Sequence, residues 1–221
     1  MPCIPIMIKN NSNVFYHINL ARQSVLFRKN DSDIIQSMKY ITNNEIHNKE
    51  EAMSKQYDVL IIGAGVIGSA IARELSRYTL QVGVLEKNLD VCNETSGRNS
   101  AVVHGGFAYD TGSLKAKFCV KANREMGDLA DELDFAFKRC GKVLVGNTKE
   151  DMQQLKRTMV QGNANGATGL ELIGEEKLHE LVPAVVGKFA MWSHNSGIMD
   201  PFEFTVALAE NAHVNGAKFF F

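Results

Sequence analysis

The run Asp58-Val-Leu-Ile-Ile-Gly63-Ala-Gly65-Val-Ile-Gly68 constrains this chain more than any other feature. An apolar segment reads as a strand, three spaced glycines follow, and an alanine-bearing stretch with helical periodicity comes next. That order of parts aims the backbone N–H groups of a helix N-terminus at an anion. Gly63 permits the tight turn, Gly65 lets bare backbone approach a diphosphate, and Gly68 lets the helix lie close to the strand. Gly63, Gly65, Val66, Ile67 and Gly68 are therefore candidate cofactor-binding residues. A second strand-like run, Val82-Gly-Val-Leu85, ends at Glu86, about 20 residues past the turn, where an acid would take a ribose hydroxyl. Glycine turns alone occur in many folds, but strand, turn, helix, strand and acid in register point to a bound dinucleotide. The motif does not choose between NAD and FAD, which share an ADP half.

At 221 residues and 45% hydrophobic, the chain has enough material for a real core. A formal net charge of -1, with acids and bases interspersed, offers neither a basic stripe for nucleic acid nor a polybasic run for an anionic membrane. No apolar stretch approaches the roughly 20 residues of a membrane span. Cys3, Cys92, Cys119 and Cys140 are far apart and lack metal-ligand spacing, so no metal is expected. Reduced thiols fit a cytoplasmic protein.

Residues 1–56 are rich in Asn and lack sustained periodicity. They read as a disordered or poorly packed extension, with Met53 as a candidate functional start. From Tyr57 onward the pattern is regular: a strand over 58–62, a helix over about 66–77 with Ile67, Ala70, Ile71 and Leu75 on one face, and a strand over 81–85. After a polar stretch, Ser113 is placed to cap a long helix whose apolar face would be Leu114, Phe118, Ala122, Met126, Leu129 and Leu133. A second α+β layer follows: strand 143–145, helix 149–162, strand 170–173, short helix 175–181, strand 189–192. Asp200 and Pro201 look like an N-cap and first helical residue. The helix they open turns at Gly216 into Lys218-Phe-Phe-Phe221, a buried strand of the first sheet. Three aromatics on an unfinished strand suggest a truncated product.

The run Thr95-Ser-Gly-Arg-Asn-Ser100, His104-Gly-Gly106 and Gly112-Ser-Leu-Lys-Ala116, together with Gly197-Ile-Met-Asp-Pro201 and Ala207-Leu-Ala-Glu-Asn-Ala212, carries a resemblance. From about residue 57 to 221 the chain resembles the FAD-dependent oxidoreductases of the D-amino-acid-oxidase-like superfamily. Within it, the chain is most similar to anaerobic-type glycerol-3-phosphate dehydrogenases and to L-2-hydroxyglutarate dehydrogenases.

The resemblance implies FAD rather than NAD, and an α/β fold: a Rossmann-type FAD-binding domain with an inserted, incomplete α+β substrate domain. The expected parts are a first FAD-binding portion over 57–137, a partial substrate domain over 138–194, and a return to the FAD domain over 195–221. It also implies oxidation of a small anionic secondary alcohol with a separate electron acceptor. The substrate would be sn-glycerol 3-phosphate, with L-2-hydroxyglutarate or an inactive flavin-binding fragment as alternatives. Ser96, Arg98, Asn99 and Ser100 would lie along the flavin, and their donor-rich chemistry suits diphosphate and ribityl oxygens. Lys87 is either near the adenosine or an exposed lysine. His104, flanked by glycines, is the candidate catalytic residue, as a hydrogen-bond donor or as the base for the substrate hydroxyl. Lys115 and Lys117 read as a solvated helix face rather than as anion ligands, and Trp192 as core.

Overall fold

The computed structural model describes residues 6–10, 13–20, 23–27 and 56–221, with the first three stretches described as backbone strands only. It divides into two compact units, one of Met1–Asn99 with Pro201–Phe221 and one of Ser100–Asp200.

In the first unit, β4 (Val59–Ile62), α1 (Val66–Leu75) and β5 (Val82–Leu85) form a parallel crossover with Val59 opposite Val82 and Ile62 opposite Leu85. β-branched and leucine side chains suit a strand packed on both faces. The later helix α5 (Pro201–Val214) starts at its proline as expected, and its chain turns at Gly216 (φ +104°) into β12 (Lys218–Phe220). β12 pairs in parallel with β5, so it belongs to the sheet, but Phe219 and Phe220 are only half-buried. Ile61, Ala64, Ala72, Val82, Val84, Ala212 and Ala217 form the core. Fully burying a side chain such as Ile61 stabilises by about 1.5–3 kcal/mol.

The face of α1 turned inward differs from the expected one. Gly68, Ser69 and Ala72 are its buried residues, whereas Ile67 is 50% exposed. Small side chains let α1 and α5 approach, with Arg73 Nε donating to Asn211 Oδ1 at 3.2 Å, and the larger Ile71 and Leu75 pack at the margin.

Three segments of the N-terminal stretch depart from the reading of residues 1–56 as disordered. β1 (Ile6–Asn10), β2 (Asn13–Leu20) and β3 (Gln23–Phe27) form an antiparallel meander, and β1 pairs antiparallel with β4, giving the sheet order β12-β5-β4-β1-β2-β3. These runs are rich in Ile, Val, Phe and Tyr, which favour pleated backbone, and pairing satisfies the edge of β4. Met53 and Cys3 lie outside the described residues.

The second unit contains two small antiparallel sheets. β8 (Lys142–Gly146), β10 (Phe189–Ser193) and β9 (Leu170–Gly174) form one, in the order β8-β10-β9. β6 (Val102–Val103), β11 (Gly197–Met199) and β7 (Phe137–Lys138) form the other. This second sheet joins residues near 102, 138 and 198, so residues 100–137 and 195–200 share a compact unit with the intervening segment. The boundaries expected at 137/138 and 194/195 thus differ from the observed divisions after Asn99 and Asp200.

Helix α2 (Leu114–Leu133) is capped as expected, with Ser113 Oγ accepting from Ala116 N at 3.1 Å. Its buried stripe is Ala116, Val120, Asn123, Met126 and Ala130, while Leu114 and Phe118 are exposed, so the expected apolar face is rotated. α3 (Lys149–Ala164) carries a capping box: Asp151 N donates to Thr148 Oγ1, and the Asp151 carboxylate accepts from Thr148 N. α4 (Glu175–Leu181) has Glu175 and Glu176 in its first turn, favourable to the helix dipole. Phe107, Val120, Leu155, Ala167 and Met191 form the core beneath β8-β10-β9. Trp192 is half-buried, not core, and stacks on His194 with ring centroids 3.6 Å apart.

Candidate functional site

The first unit gathers most of the sequence-derived residues around the turn between β4 and α1. Gly63 has φ +99°, in the left-handed region that favours glycine, and Gly63 N donates to Leu85 O at 2.7 Å. A Cβ on Gly68 would stand 2.0 Å from Gly63 O, a backbone atom with nowhere to go. At Gly65, a Cβ would meet Ser96 Oγ at 2.9 Å.

Ser96, thirty positions downstream, lies in the short 3-10 turn Thr95–Gly97 and accepts from Val66 N through its hydroxyl at 3.0 Å. It therefore caps α1, whose N-cap Gly65 has no side chain to do so. Glu86 is 9% exposed, and its Oε2 accepts from Ala64 N at 2.7 Å while Oε1 accepts from Asn88 N at 2.9 Å. A buried carboxylate at the end of β5 is thus tied to the middle of the glycine turn.

Around this centre the remaining residues have internal partners. Lys87 forms an ion pair with Glu94, which raises the lysine pKa and lowers that of Glu94 through the hydrogen bond between them. Arg98 donates to the carbonyls of Asn93 and Glu94, and Asn99 Nδ2 donates to Ser96 O at 2.6 Å. Asn99 thus braces the turn that presents Ser96. Ser100 is exposed at the start of the second unit.

His104 belongs to the second unit, in the loop after β6. Partial desolvation, then the charges of Lys142 and Lys115, hold its pKa below the ordinary histidine value. The ring is therefore neutral over a wider pH range, as a proton acceptor requires. Gly106, at φ +81°, packs against Val120 so closely that a Cβ would stand 2.4 Å from Val120 Cγ2.

Two residues that hold this loop were not legible as site residues. Asn123, 5% exposed, donates from Nδ2 to His104 O at 3.2 Å and to Asn195 O at 2.9 Å. Arg139 donates to Asn123 Oδ1 at 3.3 Å, to Asn123 O at 2.6 Å and to Asn195 O at 3.0 Å. The available signal was Asn123 itself, an amide within a helical stripe of small and apolar residues. Burial raises the pKa of Tyr109 and of Cys119, whose thiol faces His104 O at 3.3 Å. Among the described residues no group of three or more His, Cys, Asp or Glu is arranged to hold a metal. No described helix is long and apolar enough to cross a membrane.

This combination defines a dinucleotide-binding α/β protein. Residues 58–221 match the family model described as DAO, FAD dependent oxidoreductase. The chain belongs to that family, whose coenzyme is FAD.

It is 43% identical over 166 residues to a glycerol 3-phosphate dehydrogenase of Caloramator mitchellensis, covering 74% of this chain and 35% of that protein. It is 35% identical over 169 residues to a mitochondrial L-2-hydroxyglutarate dehydrogenase of Nematostella vectensis, covering 76% and 37%. Among solved structures, the FAD-bound, dithionite-reduced L-alpha-glycerophosphate oxidase of Mycoplasma pneumoniae matches with a TM-score of 0.67 and 28% identity. That match covers 72% of this chain and 43% of that one. The chain thus spans well under half the length of these relatives.

The residues present fit FAD. The acid-free N-terminus of α1, the glycine positions where a side chain would collide, and the Ser96 hydroxyl suit a diphosphate, while Glu86 suits a ribose.

Proposed function

We propose that this chain is the coenzyme-binding portion of a dehydrogenase that oxidises a small anionic secondary alcohol. The substrate is sn-glycerol 3-phosphate, the product is dihydroxyacetone phosphate, and electrons leave to a separate acceptor. The observation that carries the reading is the β4-turn-α1 geometry with Glu86 buried against Ala64. The choice of alcohol is supported by the greater identity to the glycerol 3-phosphate dehydrogenase, 43% against 35% for the hydroxyglutarate enzyme.

On this reading Gly63, Gly65, Val66, Ile67 and Gly68 present main-chain groups to the diphosphate, with Ser96, Arg98, Asn99 and Ser100 further along the flavin. Glu86 accepts the ribose hydroxyls, and Lys87 stands at the adenosine end. The flavin supplies the hydride acceptor. His104, whose pKa is lowered by partial desolvation and by the charges of Lys142 and Lys115, takes the hydroxyl proton of the substrate at an imidazole nitrogen. Asn123 and Arg139 position its backbone.

The test is anaerobic mixing of the complete gene product with each substrate while the visible flavin bands are followed. Bleaching by glycerol 3-phosphate is expected. Bleaching by L-2-hydroxyglutarate alone would replace the substrate assignment, which the second similarity makes the specific alternative.

A further inference from the structure

The second unit carries a positive corner that the coenzyme reading does not use. The Lys115 ammonium lies 4.5 Å from the centroid of the Tyr109 ring, and that ring is 6.4 Å from the His104 ring. Lys142 arrives from β8: it stands opposite Ser193 on β10, and Ser193 Oγ is 3.0 Å from where a Cβ on Gly105 would be. Both lysines act on His104, which also faces Tyr109 and, through its carbonyl, Cys119.

Lys115 and Lys117 occupy the first turn of α2, which contains no acid. Cations there oppose the helix dipole and lose stability, where an acid would gain it. Among the described residues, no carboxylate forms an ion pair with Lys115, Lys117 or Lys142. By contrast Lys121, one turn further on, pairs with Glu125.

We propose that Lys115 and Lys142, with Tyr109 beside them, form an oxyanion-recognition corner next to His104 that binds the phosphate or carboxylate of a small substrate. Lys115 is then a specificity residue and not merely part of a solvated face. Desolvation is the larger cause of the lowered His104 pKa, but an oxyanion here offsets the added push of the two lysine charges, so the ring becomes a better proton acceptor once substrate is bound. The catalytic consequence rests on the proposed role of His104, whereas the binding itself does not.

The experiment is titration of inorganic phosphate into the 221-residue chain, without flavin, following the His104 ring by NMR and heat by calorimetry. Saturable binding is expected, with the His104 pKa moving upward. Loss of one charge-assisted contact, in K115Q or in K142Q, should weaken phosphate binding about tenfold. K115R should retain it, and K121Q should match the parent chain. Displacement of phosphate by glycerol 3-phosphate would identify a phosphate ester as the ligand, and displacement by L-2-hydroxyglutarate a carboxylate. No response at His104, or equal binding by K115Q, K142Q and the parent, would overturn the proposal. Failure to bind FAD would reject the redox reading and leave this corner standing.

Discussion

At the turn between β4 and α1, a buried acid and a remote serine hydroxyl satisfy backbone N–H groups, and the nearest lysine is paired with Glu94. At the loop carrying His104, the neighbouring charges are lysines, and the bracing comes from an amide and an arginine that take up carbonyls. The first region meets backbone donors of its turn and its nearest lysine with acceptors of its own. The second holds lysines that pair with no carboxylate among the described residues, beside a histidine whose pKa is lowered. Both depend on glycine, but at Gly68 the obstacle is a carbonyl oxygen and at Gly106 a valine methyl.

The sharpest way to break this contrast is Gly68→Ala. Because the obstructing atom is backbone, the substitution should cost about 3 kcal/mol, the upper end for overpacking, and should abolish FAD binding. Urea unfolding and flavin titration read both. Gly106→Ala should cost less, about 1–3 kcal/mol, since a rotatable side chain can give part of the space although φ is positive. It should leave FAD affinity intact.

Next in size is Glu86→Ala, which leaves Ala64 N without its partner in a buried site and should cost about 1–3 kcal/mol. Glu86→Gln keeps an acceptor and should recover most of the stability but not the FAD affinity. Thr148→Ala removes the capping-box hydroxyl of α3 and should lower stability by about 1 kcal/mol with no change in flavin binding.

The smallest effect is in pH. Hydrogen bonds from the backbone N–H groups of Asn147 and Thr148 hold Asp151 below its ordinary pKa. Its contribution is therefore present above the unfolded value near 3.8 and is lost as pH falls through the lower folded one. Asp151→Asn should flatten the acid limb of the stability profile slightly, as read by thermal melts between pH 5 and 2.

The sequence made the first region legible because its signals are local. The three elements of a single crossover, its glycine turn and the acid that ends it all lie within Val59–Glu86. Ser113 was readable as a cap for the same reason. The second region hid its organisation in long-range contacts: two- and three-residue strands near 102, 138 and 198 have no periodicity to detect, yet their pairing draws residues 100–137 into that unit. The rotated stripe on α2 has a related cause. Val120 is buried against Gly106 and Asn123 donates to His104 O, contacts with a distant loop that hydrophobicity alone does not encode. Thr148 with Asp151 three positions later is a local capping-box signal of the same kind as Ser113.

The most direct measurement is equilibrium titration of FAD into the folded 221-residue chain, compared with its Gly68→Ala, Glu86→Gln and Lys115→Gln variants. Saturable binding is expected for the parent and for Lys115→Gln, weakened binding for Glu86→Gln, and none for Gly68→Ala. A folded parent chain that ignores FAD, or Gly68 and Glu86 variants that bind it equally well, would contradict the assignment of the β4-turn-α1 unit as the coenzyme site.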